Sequence, residues 1–145
     1  MTKGKLIITL LGLGLLGLIF FRPKADLGRQ NLPLEETKTL PQKVDSQGEV
    51  FVGILPKNVP DSEIWEFEVT LDTHSLELSE DLPKLTRLWV EEKEYVPLSW
   101  EGDPPGDHHR EGILKFNKIS PSPKEIKLKM TDVGRISERL FSWEF

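Results

Sequence analysis

The sequence predicts an all-β domain, an antiparallel sandwich of seven strands, preceded by an N-terminal transmembrane helix and a flexible stalk. Three observations lead to this prediction: an uncharged apolar run near the N-terminus, a proline-containing segment after it, and short runs of alternating apolar and polar residues in the remainder. The expected boundaries are 1–21 for the membrane anchor with its basic flank, 22–47 for the stalk, and 48–145 for the β-sandwich domain.

Residues 6–21 form the apolar run, LIITLLGLGLLGLIFF, which contains no charge. As a helix it covers about 24 Å, somewhat less than the ~30 Å hydrocarbon core, and Lys5 and Arg22 can extend its reach by snorkelling. A cleaved signal peptide is one alternative, but the candidate cleavage motif Pro23-Lys24-Ala25 places an unfavourable proline at position −3. A buried helix of a soluble protein is another, although the run is apolar on every face. We therefore predict an uncleaved, single-pass anchor.

The flanking charges favour the domain on the extracytoplasmic side. Lys3, Lys5 and the amino terminus give a slight bias towards a cytoplasmic N-terminus over Arg22 and Lys24. Beyond those four residues the chain holds 15 basic and 24 acidic residues, a formal charge of −9. Such a domain repels phosphates, which excludes nucleic acid as an expected partner, and it is poorly suited to anionic lipid surfaces. Cations, or basic patches on another envelope protein, suit it better.

The stalk and the domain differ in their residue patterns. Residues 22–47 contain three prolines, much charge and no aromatic residue, which is typical of a flexible or partly extended segment. Residues 64–72 then show the clearest alternation, with Trp65, Phe67, Val69 and Leu71 on one face. Further strands are expected at 50–55, 85–91, 95–98, 112–116, 125–130 and 139–145, with one short helical turn within 76–82.

Seven short strands in roughly 100 residues fit an immunoglobulin-like sandwich, with an open barrel or a cupredoxin-like sandwich as the near alternatives. The chain has no cysteine, so disulfides, thiolate metal sites, blue-copper sites and cysteine nucleophiles are excluded.

All three histidines of the chain lie beside carboxylates at predicted strand ends. His74 stands in the stretch Asp72-Thr73-His74-Ser75, and His108 and His109 follow Asp107. In an antiparallel sandwich successive strands alternate in direction. The end of the second predicted strand and the start of the fifth are therefore expected at the same end of the domain.

Imidazole and carboxylate groups form a ligand set that suits zinc, copper(II) or nickel. The candidate metal ligands are His74, His108 and His109, with Asp72 or Asp107 completing the shell. The alternative is a structural loop cluster held by hydrogen bonds. Catalysis is not expected, because Asp72, His74 and Ser75 are too close in sequence for a nucleophile–base–orienter geometry, and no phosphate loop, HExxH motif or nucleotide fingerprint is present.

Two strings in the chain are similar to those of a known group of proteins. One is WEFEV followed by LDTHS at residues 65–75, and the other is WEG followed by PPG and HHREGILKF at residues 100–116; residues 139–143 add a weaker part. Together they resemble prokaryotic proteins that have a membrane anchor or signal and one β-sandwich domain, and for which no activity is established. The resemblance implies an exported β-sandwich. It also strengthens the expectation that the loops at 72–75 and 100–110 contribute to function.

Two functional hypotheses follow from these patterns. The leading one is a membrane-anchored, extracytoplasmic β-sandwich that binds a divalent metal through the histidine and carboxylate loop cluster. The other is an interaction module of the cell envelope that uses no metal and presents the same loops, a sheet face or an edge strand to another protein.

Overall fold

A computed structural model describes residues 39–145 of the 145-residue chain. The predicted anchor (1–21) and residues 22–38 of the predicted stalk lie outside the described residues. Between residues 39 and 145, no helix has the length and apolar character needed to cross a membrane.

Nine strands and one short helix make up the described residues. They are β1 (Lys43–Asp45), β2 (Val50–Pro56), β3 (Ile64–Thr73), α1 (Leu82–Leu85), β4 (Thr86–Val90), β5 (Lys93–Tyr95), β6 (Ser99–Gly102), β7 (His109–Asn117), β8 (Glu125–Val133) and β9 (Ile136–Glu144). Five strands form sheet A in the order β1-β2-β3-β7-β6, and four form sheet B in the order β5-β4-β8-β9. Every pairing is antiparallel. The prediction of an all-β architecture with antiparallel sheets is confirmed.

The core lies between the sheets and follows the alternation of the sequence. In β3 the residues Trp65, Phe67, Val69 and Leu71 are all fully buried, as predicted. Phe67 packs edge-on against Phe116 of β7, with ring centroids 5.6 Å apart, and contacts Trp143 of β9 at 5.9 Å. Each buried side chain of this size stabilises the fold by about 1.5–3 kcal/mol relative to full exposure. The sheets are therefore held face to face mainly by the apolar residues of their inner faces.

The strand count and several boundaries differ from the sequence prediction; β7 and β9 each begin three residues earlier than predicted, at His109 and Ile136. There are nine strands in residues 39–145 rather than seven. Only Tyr95 of the strand predicted at 95–98 lies in a strand, as the last residue of β5 in sheet B, and residues 96–98 connect it to β6 in sheet A; the helical turn lies at Leu82–Leu85 rather than within 76–82. Pro97 stands at the division, where it has no N–H to donate to either sheet.

The folded domain also begins earlier than residue 48. β1 pairs with β2 in the register Val44↔Gly53, Leu40 is buried in the core, and the Trp143 indole N–H donates to the Pro41 carbonyl at 2.7 Å. Residues 40–45, which were predicted as stalk, therefore belong to the folded domain, and β1 is an edge strand of sheet A.

The register defines two ends of the sandwich. The turns at 46–49, 74–81, 103–108 and 134–135 lie at one end, which we call the histidine end. Residues 39–42 and the connections 57–63, 91–92 and 118–124 lie at the other, which we call the N-terminal end. Because β1 carries the chain from the N-terminal end to the histidine end before β2 begins, the first described residue lies opposite the histidines.

Candidate functional site

Direct pairing of β3 with β7 brings the two predicted loops together. The register is antiparallel over nine residue pairs and places Asp72 opposite His109, and the Thr73 N–H donates to the His108 carbonyl at 2.9 Å. This confirms the expectation that the loops at 72–75 and 107–110 lie at one end of the domain.

The expectation is correct although the strand count behind it was wrong. Three strands, not two, separate β3 from β7 in the chain. β5 runs from the N-terminal end towards the histidine end, and β6 continues in that same direction in the other sheet. The additional strand therefore introduces no reversal of direction. The end of β3 and the start of β7 still lie at the same end of the domain.

His109 lies between two carboxylates at this end. Its Nδ1 lies 2.6 Å from Asp72 Oδ1, and its Nε2 lies 3.9 Å from Glu111 Oε2. The hydrogen bond to Asp72 raises the pKa of His109 above its ordinary value, and the negative charges of Asp72, Glu111 and Asp103 act in the same direction. About half of each side chain of the His109–Asp72 pair is exposed to solvent, so the pair is available to a ligand.

The other predicted ligands do not converge on this pair. Asp107 adopts a left-handed backbone conformation with φ 63°, and its carboxylate accepts the N–H of His108 at 2.7 Å. His74 and His108 are exposed, and within residues 39–145 their rings form no hydrogen bond or ion pair. No three His, Asp or Glu side chains of the described part are arranged to hold a metal ion.

Two shallow depressions flank the His109–Asp72 pair. One, of about 380 Å³, is lined by His109 and by the Asp103–Asp107 turn with its two prolines. The other, of about 220 Å³, is lined by Asp72, His74, Phe51 and Glu49. Ser75 donates its hydroxyl to Glu49 at 2.8 Å rather than to a histidine. The exposed surface of the histidine end is thus a histidine–carboxylate ridge between two concave strips rich in acidic groups.

A larger depression, about 580 Å³, lies at the N-terminal end. Tyr95, Ile119 and the two prolines at 121 and 123 form its apolar part. Its two lysines are balanced by two glutamates, and it contains no histidine.

The sequence interpretation did not identify two buried arginines, Arg110 and Arg139, whose hydrogen bonds hold loops of the fold in place. Arg110 is 1% exposed; its Nη1 donates to the carbonyls of Leu78 and Glu80, at 3.1 and 2.8 Å. It thereby ties the loop after β3 to the start of β7. The alternation of β7 carried the signal, because Arg110 shares the inward face with Gly112 and Leu114 while His109 and Glu111 point outward.

Glu111 and Asp103 were not among the predicted ligands, yet they complete the acidic surroundings of His109. The Glu111 N–H donates to Asp103 Oδ2 at 2.8 Å, which fixes the carboxylate of Asp103 beside the strand. Alternation again held the signal for Glu111, since it lies two residues after His109 and therefore on the same outward face.

No protein-family model, curated protein or solved structure matches this chain.

Proposed function

We propose that this protein is a membrane-anchored, extracytoplasmic recognition module, not an enzyme, whose histidine end binds another protein of the cell envelope. The observation that carries the proposal is the position of residue 39 at the N-terminal end, opposite the histidines. A tether through the segment before residue 39 attaches at the end of the domain opposite the histidines. The predicted N-terminal anchor and its orientation are part of this proposal.

The proposed fold type is immunoglobulin-like. Its support is the strand order: β2-β3-β7-β6 faces β5-β4-β8-β9, which corresponds to strands A-B-E-D and C′-C-F-G of an immunoglobulin domain. In that correspondence the β3–β4 and β8–β9 connections at the histidine end are the B–C and F–G loops. Immunoglobulin variable domains use the loops of this end for antigen recognition. The analogy concerns the fold and supports recognition only at that level.

The chemistry of the histidine end also favours recognition. Its histidine and carboxylate side chains are exposed, while Arg110 and the main-chain pairing of residues 78 and 106–107 fix the loops beneath them. A rigid backbone with exposed polar groups lowers the entropy that ordering costs on binding. This is the arrangement expected of a preformed docking surface.

The test is co-isolation of partners from native membranes after chemical cross-linking. We compare the full-length wild type with a variant of the histidine end, in which His74, His108 and Glu111 are changed to serine. The matched control changes three exposed residues at the N-terminal end to serine: Asp61, Glu92 and Lys124. Partners recovered with the wild type and the control, but lost from the first variant, support the proposal. Equal recovery from all three proteins contradicts it.

Divalent metal binding is the second candidate, and one observation favours it. Asp72 holds His109 through Nδ1 and leaves Nε2 facing Glu111, as carboxylate partners orient metal-binding histidines. Metal bonds of about 2 Å require ligand atoms within about 4 Å of each other, and Nε2 and Glu111 Oε2 are 3.9 Å apart. The residues that would hold zinc, copper(II) or nickel are then His109 and Glu111.

Calorimetric titration of the full-length chain with each metal separates the two candidates. Metal binding predicts saturable heats and a raised melting temperature, both lost in His109→Gln. An unchanged melting temperature with zinc, copper and nickel rules out this candidate and leaves the recognition proposal untouched.

A further inference from the structure

The outer face of sheet A carries an uneven distribution of charge. From the middle of the strands towards the N-terminal end its carboxylates are paired with lysines: Lys57 lies 3.0 Å from Glu68, and Lys115 lies 2.7 Å from Glu101. Near the histidine end Asp72 and Glu111 have His109 as their sole cationic neighbour within residues 39–145. The face therefore has a neutralised half and an acidic half.

Apolar side chains lie next to the acidic half. Phe51 is 40% exposed and stands in register with Asp72, and Val44 is 52% exposed on the neighbouring edge strand, opposite Gly53. Between them the Gln42 side chain lies over Gly53: its Nε2 is 2.9 Å from the place where a Cβ on Gly53 would lie, and the Phe51 ring is 3.7 Å from the same point. Phe51 and Val44 are therefore two exposed apolar groups beside the Gln42 amide.

The two parts are close enough for one short segment to cover both. Adjacent strands are about 4.8 Å apart, so Phe51 on β2 and His109 on β7 are separated by about 10 Å across β3. An extended segment spans that distance with about three residues, at ~3.3 Å each. A ligand for this surface needs apolar side chains at one end and positive charge at the other, all on one face.

We propose that the acidic half of the outer face of sheet A binds a cationic, partly apolar segment of a partner protein. Its lysine or arginine side chains pair with Asp72 and Glu111, and its apolar side chains cover Phe51 and Val44. This deepens the proposed recognition function and rests on it, because it names the chemistry of the partner.

Charge complementarity selects this occupant over two others. A second copy of the chain presents the same acidic half and adds a second stretch, residues 25–145, of formal charge −9, so the two copies repel. An anionic lipid surface is repelled for the same reason. A cationic segment is attracted, and apolar contact with Phe51 then gives it a fixed position.

The probe is a short peptide blocked at both ends, in which leucines at one end and lysines at the other alternate with serine. A fluorescent form of it is titrated by anisotropy against the full-length chain in detergent micelles at low ionic strength, where surface ion pairs are least screened. Asp72→Asn with Glu111→Gln should weaken binding about fivefold, and Phe51→Ser about threefold. Glu68→Gln, on the neutralised half, is the matched control and should change the affinity less than about twofold.

A version of the peptide with glutamate in place of lysine separates charge-dependent binding from general apolar attraction, and it should bind the wild type several-fold more weakly than the lysine peptide. Melting curves of every variant establish that the fold is retained. Binding of a glutamate version of the peptide with similar affinity, or equal losses in the Glu68→Gln control, would overturn the proposal.

Failure of this inference is distinguishable from failure of the recognition function. If partners are lost from the histidine-end variant in co-isolation but the lysine peptide does not bind, the end is a docking surface for a partner of another chemistry. If co-isolation shows no dependence on the histidine end, the recognition proposal itself is wrong.

Discussion

Arg139 offers the sharpest test of how this sandwich is held closed. Its side chain is fully buried, and its guanidinium reaches from sheet B to the residues around β1: Nη1 lies 2.6 Å from Asp45 Oδ1, and Nη2 donates to the Gln47 carbonyl at 2.9 Å. Nε donates to the Val133 carbonyl at 3.2 Å. Replacement of Arg139 by methionine keeps an apolar side chain of similar length but removes all three donors.

The expected cost follows from what the substitution leaves behind. The Asp45 side chain is 12% exposed, so a nearly buried carboxylate and two carbonyls lose their partners. Removing one partner of a buried ion pair costs about 3–5 kcal/mol. Asp45 keeps its hydrogen bonds from Gln47, at 2.8 and 2.7 Å, which favours the lower value. We therefore expect a loss of about 3 kcal/mol, equivalent to a fall of roughly 15 °C in melting temperature for a domain of this size.

The measurement is equilibrium unfolding of the full-length chain in denaturant, followed by tryptophan fluorescence. Arg135→Met is the matched control in the same hairpin, because Arg135 is 78% exposed and lies 3.8 Å from Glu49. It should change the free energy of unfolding by less than about 0.5 kcal/mol. If the two substitutions cost the same, or Arg139→Met costs less than about 1 kcal/mol, the reasoning is refuted.

The same pair predicts how stability depends on acid. Burial opposes the ionisation of Asp45, but hydrogen bonds from Gln47 and the Arg139 guanidinium outweigh burial and hold the pKa of the Asp45 carboxyl below its ordinary value. A lowered folded-state pKa stabilises the fold above the ordinary pKa of aspartate, and this contribution is lost as pH falls through the lowered value. Asp45→Asn should therefore flatten the acid limb of the stability curve.

Three further predictions concern the histidine end. In an NMR titration of the full-length chain, Asp72→Asn should lower the titration point of His109, because the raised pKa of His109 depends first on the hydrogen bond to Asp72; an unchanged titration point would contradict the pairing. The raised pKa adds stability that is fully present below the ordinary histidine pKa and lost as pH rises through the raised value. Gly112→Ala should cost about 1–3 kcal/mol by denaturant unfolding, since the added Cβ would lie 2.6 Å from the Cα of Gly102, and a neutral result would show that the two strands separate easily. Arg110→Met should speed hydrogen exchange at the amide of Leu78, because the buried guanidinium no longer ties this loop; unchanged protection would show that the loop is held without it.

The parts of the fold that depend on local pattern were predictable. The alternation from Trp65 to Leu71 places four side chains in the core, because a strand with one buried face must put every second residue inward. Asp72 and His109 were predicted to lie at one end, which requires only that strand direction alternates. Their direct contact depends on the β3–β7 register, which the sequence does not state.

The parts that depend on pairing partners were not predictable. β1 has only three residues, Lys43–Asp45. It forms because it pairs with β2 and because Asp45 makes an ion pair with the buried Arg139. Such an edge strand has no hydrophobic periodicity of its own. Arg110 was hidden for another reason: an arginine next to two histidines suggests a polar loop, whereas its strand position turns it into the core.

Site-specific photocross-linking in native membranes tests the central claim most directly. A photoreactive residue replaces His108 at the histidine end in one full-length protein and Lys124 at the N-terminal end in another, both positions being exposed. If the histidine end docks a partner, adducts with another envelope protein form from position 108 and few form from position 124. Adducts that arise equally from both positions, or from position 124 alone, would contradict it.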